Sequence, residues 1–169
     1  MRIRKAKMGD GRNVAKVQVD TWKTTYKGVV PDQVLEKMTY DSREKQWKGI
    51  IETQSIYVAE TAEGEIVGFS NGGKERSGKY EGYEGELYAI YIRDEHQNKG
   101  LGRKLVRPVV EDLLKEGISS MVVLVLRENP ACRFYESLGA VEIASVPIKV
   151  GSEALEELVY GWKEIGDLH

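Results

Sequence analysis

The amino-acid sequence predicts an α/β domain built on a mixed sheet, and three features of its hydrophobic pattern predict it. Apolar residues recur at helical spacing from Val14 to about Glu52, and the period then shortens to that of strands. Two apolar runs, GELYAIYI and MVVLVL, then bracket a long amphipathic helix. No internal repeat, low-complexity tract or linker interrupts this order, so residues 1–169 read as one domain.

Each element has its own signal. Ile3, within RIRKA, marks a first strand, and the turn from Gly9 to Gly11 offers Asp10 as a helix cap. Val14, Val17, Thr21 and Trp22 then lie on one helical face. Pro31 opens a short helix containing Val34, Leu35 and Met38, and a third helix runs from Asp41 to about Glu52 with Trp47, Ile50 and Ile51 on its apolar side. SIYVAET alternates Ile56 and Val58 against Tyr57 and Ala59, and Glu63-Gly64 turns the chain into IVGFSNGG, a pair of antiparallel strands. Residues 75–82 are polar and read as a loop. GELYAIYI is apolar at nearly every position after Glu86, the pattern of a strand covered on both faces.

The next helix carries Leu101, Leu105, Val109, Val110, Leu113 and Leu114 on one side and ends at Gly117, and Pro108 inside it predicts a kink. After the strand MVVLVL, Pro130 begins a short helix that ends at Gly139. VEIASVPIKV and LEELVYGW are the last two strands.

Composition removes several classes of function. Lys and Arg number 25 against 27 Asp and Glu, a formal charge of -2 that argues against nucleic-acid binding by phosphate neutralisation. No apolar run approaches the roughly 20 residues that span a bilayer, and the N-terminal residues lack the apolar stretch of a signal peptide, so a cytoplasmic protein with no membrane partner is expected. Cys132 is the single cysteine and has no partner for a disulfide within the chain. With only His96 and His169 beside it, no metal site is expected.

The most informative segment is Gln97-Asn98-Lys99-Gly100-Leu101-Gly102, between a buried strand and an amphipathic helix. The first amides of a helix lack internal partners and carry partial positive charge, so an anion sits well there. Glycines let phosphate oxygens approach the backbone, and Lys99, Arg103 and Lys104 add charge. The plainer reading is a tight turn with solvated lysines; the strand before and the helix after favour the phosphate. A dinucleotide fingerprint fails because position 105 is Leu. A Walker-like run from Gly73 to Lys79 fails because Tyr80 stands where Ser or Thr should bind magnesium, and because a strand follows it.

GELYAIYI followed by RDEHQNKGLGRKL resembles the acyl-CoA-binding motif of the GNAT superfamily of N-acetyltransferases, and the run from Asn129 to Gly139 is similar to the family's second motif. Asp94 departs from the proline common at that point. The resemblance implies a mostly antiparallel, splayed central sheet flanked by helices, with the pantetheine of acetyl-CoA lying where two central strands part. It implies that the main chain of Ile90, Tyr91 and Ile92 binds the pantetheine amides, that Gln97 to Gly102 hold the pyrophosphate with Arg103 nearby, and that Asn129 touches the coenzyme. Tyr135 matches the family's general acid, and a phenol near pKa 10 suits a thiolate whose thiol lies near about 8.5; the alternative is that it packs beside Phe134.

Glu86 stands where relatives frequently carry a carboxylate base. Glu84, two residues earlier on the same face, could raise its pKa towards neutrality, although a glutamate near a strand end is usually solvated. Trp22 and Tyr26 resemble the wall of the acceptor pocket, and Trp22 could equally be core. The implied partner is a small-molecule or peptide amine. A homodimer is compatible with the resemblance, and no apolar seam marks its interface. The competing function is a non-catalytic acyl-CoA-binding or regulatory module.

Overall fold

The computed structural model describes residues 1–168; His169, one of the two histidines considered for a metal, lies outside the described residues. Seven strands form one sheet: β1 (Arg2–Lys5), β2 (Ile56–Glu60), β3 (Ile66–Lys74), β4 (Gly85–Ile92), β5 (Met121–Leu126), β6 (Val141–Val150) and β7 (Glu153–Trp162). Their order is β1-β2-β3-β4-β5-β7-β6. Neighbours are antiparallel except for β4 and β5, which run parallel.

Helices α1 (Gly11–Tyr26), α2 (Asp32–Glu36) and α3 (Tyr40–Thr53) precede β2, α4 (Leu101–Lys115) joins β4 to β5, and α5 (Ala131–Ser137) follows β5. Val14 and Val17 of α1 and Trp47 of α3 pack on Ile56, Val58 and Phe69 on one side of the sheet. On the other, Val106, Val109, Val110 and Leu113 of α4 join Leu87, Met121, Val123, Tyr160 and Trp162. Each such side chain contributes about 1.5–3 kcal/mol by leaving water. Because helices cover both faces, Tyr57 and Ala59 are buried along with Ile56 and Val58, and β2 has no wet side.

Two sequence-level expectations change. Asp10 does not cap α1: its carboxylate accepts from Arg4 at 2.8 and 3.1 Å and from the Lys7 amide at 2.7 Å, which ties a short 3-10 turn (Met8–Asp10) to β1. Arg4 holds the Asp10 carboxyl below the usual carboxylate range. Nor is β4 covered along its length. Gly85, Glu86 and Leu87 are buried, whereas Tyr88 to Ile92 are only half-buried. α4 continues as one helix through Pro108, where the carbonyl that loses its bond belongs to solvent-exposed Lys104.

Candidate active site

The half-burial of β4 has a cause in its register. Asn71 of β3 faces Ala89 and Gly72 faces Leu87, so Tyr88 is an extra residue, a β-bulge. On the opposite edge, β4 pairs with β5 only at Gly85–Met121, Glu86–Val122 and Leu87–Val123. Pairing therefore stops one residue before the bulge. Beyond it the strands part around a cleft of about 270 Å³, lined by Tyr88 to Tyr91 on β4, Val123 to Leu126 on β5, Trp22 and Tyr26 of α1, and Tyr135 of α5.

Beyond the end of β4 the chain runs through a short 3-10 turn (Asp94–His96) into the glycine turn. Asn98 and Gly100 both adopt positive φ, 60° and 79°, and no side chain caps the N-terminus of α4. Such a turn presents successive amides to one side, and Lys99, Arg103 and Lys104 are exposed around it. Gln97 acts on the protein itself: its Nε2 donates to the Ile92 carbonyl at 2.9 Å and to Asp94 Oδ1 at 3.3 Å, pinning the turn to the end of β4. Leu101 is buried against Ala59 and Val67. Gly102 is small for a reason other than phosphate approach. A Cβ there would lie 2.7 Å from the Phe134 ring, so the residue lets α4 and α5 touch.

The main chain of β4 divides its bonds. The Arg93 amide donates to the Val67 carbonyl at 2.9 Å, and antiparallel alternation from that pair turns Tyr91 toward β3 and Ile90 and Ile92 toward the gap. Tyr91 is thus removed from the three residues expected to offer backbone groups to a coenzyme. Its side chain serves instead, with the hydroxyl accepting from Trp22 Nε1 at 3.0 Å. Trp22 stacks edge-on with Tyr26, centroids 4.6 Å apart.

Asn129 is likewise engaged within the protein, donating from Nδ2 to Tyr26 Oη at 2.8 Å and accepting from the Ala131 amide at 2.8 Å. It joins the start of α5 to the wall of the cleft. About one turn into that short helix sits Tyr135, 4% exposed and lining the cleft. Its hydroxyl has no hydrogen-bond partner among the described residues, and burial pushes its pKa well above that of an ordinary phenol. A protonated hydroxyl at a cavity wall can donate to a group lodged in that cavity.

The carboxylates are arranged differently from expectation. Glu84 precedes β4, is exposed and does not line the cleft. Glu86 does line it, 3% exposed, and is held by Arg76 through Nη2 at 2.6 Å, Nε at 3.3 Å and the main-chain amide at 3.1 Å. Arg76, from the β3–β4 loop, also lies 4.1 Å over the Tyr88 ring. The second carboxylate of the cleft is Glu157 on β7, half-buried and raised in pKa by burial first and the charge of Glu86 second. Reasoning from sequence passed over it. The signal was there: in LEELVYGW, Glu157 shares a strand face with Leu155 and Val159, a charge on an otherwise apolar side.

Residues 76–146 match the model of the FR47-like protein family. Over 166 residues the chain is 37% identical to an uncharacterised N-acetyltransferase, YuaI, of Bacillus subtilis (strain 168), covering 98% of this chain and 95% of that protein. It is 34% identical over 77 residues to an L-methionine sulfoximine/L-methionine sulfone acetyltransferase of Pseudomonas aeruginosa, covering 45% of this chain and 44% of that protein. Among solved structures, the PaiA N-acetyltransferase of Thermoplasma acidophilum in complex with coenzyme A superposes with a TM-score of 0.68 at 22% identity, covering 92% of this chain and 96% of that one. The splayed strands, the glycine turn and a relative matched over almost the whole length together place the chain in the GNAT superfamily of N-acetyltransferases.

Proposed function

We propose that the chain acts as one acetyl-CoA-dependent N-acetyltransferase domain, passing an acetyl group directly to an amine of a small molecule or peptide. The observation that carries this reading is the parting of β4 and β5 after Leu87 and Val123 beside the unpartnered Tyr135 hydroxyl. The structure has the features a coenzyme thioester needs. Amides at the uncapped start of α4 accept an anion, and Ile90 and Ile92 turn backbone groups into a gap that no strand fills.

When bound, acetyl-CoA would supply an activated acetyl group. Every other part belongs to the chain. The amides of Asn98 to Gly102, with Lys99 and Arg103, would hold the diphosphate, and Ile90 and Ile92 would align the pantetheine. Tyr135 would hold a proton at Oη and deliver it to the departing sulfur. Trp22 and Tyr26, fixed by Tyr91 and Asn129, would wall the acceptor side and shed water from it. A pocket walled by aromatic rings and two carboxylates suits an amine carried on a small molecule; the amino-acid-derived substrates named for the Pseudomonas relative are of this kind. A cytoplasmic setting suits the free, buried Cys132 thiol.

The test is release of free thiol from acetyl-CoA in the presence of a panel of polyamines, amino acids and peptide N-termini. Turnover with at least one amine supports the transferase. Binding of acetyl-CoA by calorimetry without thiol release from any of them identifies a non-catalytic acyl-CoA-binding module instead.

A further inference from the structure

We propose that Glu157, and not Glu86, is the base that takes the proton from the acceptor ammonium. This rests on the transferase reading above and concerns the acceptor side of the same cleft.

The two carboxylates differ in what they touch. Glu86 receives three hydrogen bonds from Arg76, two of them from the guanidinium, so its lone pairs are occupied and its charge is neutralised. An ammonium ion could reach Glu86 only by displacing the guanidinium that already holds it. Glu157 receives no hydrogen bond from the described residues. It lies on β7 opposite Leu126 and lines the cleft together with Tyr26, Ile148 and Val150. The other titratable groups of the cleft are Glu86, Tyr88 and Tyr91 from β4, Arg76 from the β3–β4 loop, Tyr26 from α1 and Tyr135 from α5, and the charge of Glu157 also reaches Tyr80 of that loop. Arg76 is the one cation among them, and it is spent on Glu86. Burial and the neighbouring negative charge both make Glu157 readier to accept a proton. With two carboxylates and one guanidinium, the cleft carries one negative charge in excess, which selects an acceptor that arrives as an ammonium ion.

The proton count closes. Glu157 takes one proton from R–NH3+, leaving a free amine. The nitrogen–carbon bond forms as the carbon–sulfur bond breaks, with the electron pair leaving on sulfur. Tyr135 gives its hydroxyl proton to that sulfur and regains one from the acylated nitrogen, and Glu157 returns its own to solvent. The products are an amide, free coenzyme thiol and one proton.

The test compares wild type, Glu157→Gln and Glu86→Gln as full chains, with acetyl-CoA and whichever amine the wild type acetylates best, across pH. Glu157→Gln should lower kcat/KM about 100-fold or more near neutrality and recover as pH approaches the amine's own pKa of about 10, where solution supplies the free base. Glu86→Gln removes the neighbouring negative charge and frees Arg76, so it should keep the Glu157 limb of the profile and move it to lower pH, and calorimetry should show acetyl-CoA binding unchanged in Glu157→Gln. A Glu157→Gln profile that superimposes on the wild type overturns the assignment, as does a rise in KM with no change in pH dependence. If the wild type acetylates no amine, this assignment falls together with the transferase reading; if it does and Glu157→Gln matches it, only this assignment falls.

Discussion

Arg76 and Glu86 form an ion pair across an unequal boundary: the arginine side chain is 61% exposed, the glutamate 4%, and Nη2 meets Oε2 at 2.6 Å. The β3–β4 loop thereby holds a charge over the cleft that β4 buries. Breaking a fully buried pair costs about 3–5 kcal/mol. Arg76 stands largely in water and is screened, so Arg76→Ala should cost about 1–2 kcal/mol in denaturant unfolding. Arg76→Ala with Glu86→Gln should recover most of that loss, because the orphaned buried charge is then gone; a double variant as unstable as Arg76→Ala alone would locate the cost elsewhere in the loop.

Tyr135→Phe should reduce kcat on the order of 100-fold while leaving acetyl-CoA affinity and Tm unchanged. Its hydroxyl makes no bond within the described residues, so its removal breaks none; its ring continues to pack against Tyr160 and Trp162, each 6.2 Å away between centroids. A drop in Tm equal to that of a lost core contact would assign Tyr135 to packing.

Gly102→Val should not be a clean probe of coenzyme binding. The new side chain meets the Phe134 ring, and overpacking of this kind costs about 1–3 kcal/mol. Phe134→Leu in the same chain should return much of that stability, read by thermal melting. Gly100→Ala has open space around it and a φ of 79°, so it should strain the turn by about 1 kcal/mol and weaken acetyl-CoA binding in calorimetry.

Glu157 links stability to pH with a defined sign. Its pKa in the folded chain lies above the ordinary 4.5, so the native state binds the proton more tightly than the unfolded one. Stability then falls as pH rises through 4.5 and the raised pKa, and the penalty is absent in more acidic solution. Glu157→Gln should therefore be more stable than wild type at neutral pH, on the order of 1 kcal/mol for a half-buried unpaired group, with the gap closing under acid. Equal melting curves at neutral pH would show that the carboxylate carries no such cost.

What the chain disclosed in advance follows from what a local pattern can encode. Leu101 to Leu113 repeat at helical spacing, and the helix is found there; Gly100 sits where a turn requires positive φ. The splay could be expected only by resemblance, since Tyr88 as a bulge depends on its register with Asn71 and Gly72, residues far away in sequence. The same limit hid the pairing of Arg76 with Glu86 and the cleft that Glu157 enters, although its place on an apolar face of the last strand was legible. Asn129 was expected at the coenzyme, yet both ends of its amide are engaged with Tyr26 and Ala131. Such partners are chosen by topology, which no window of neighbouring residues contains.

The bond between the two halves of the sheet is short: three residue pairs join β4 to β5, while long antiparallel ladders knit each half on its own. Mechanically this is a book with a narrow spine. A guest lodged between the pages is gripped by both covers, so its departure must precede their separation. A guest present at a hundredfold excess over its Kd adds about 2.7 kcal/mol to the resistance against unfolding, and slowed amide exchange along the spine is where that added grip would first register.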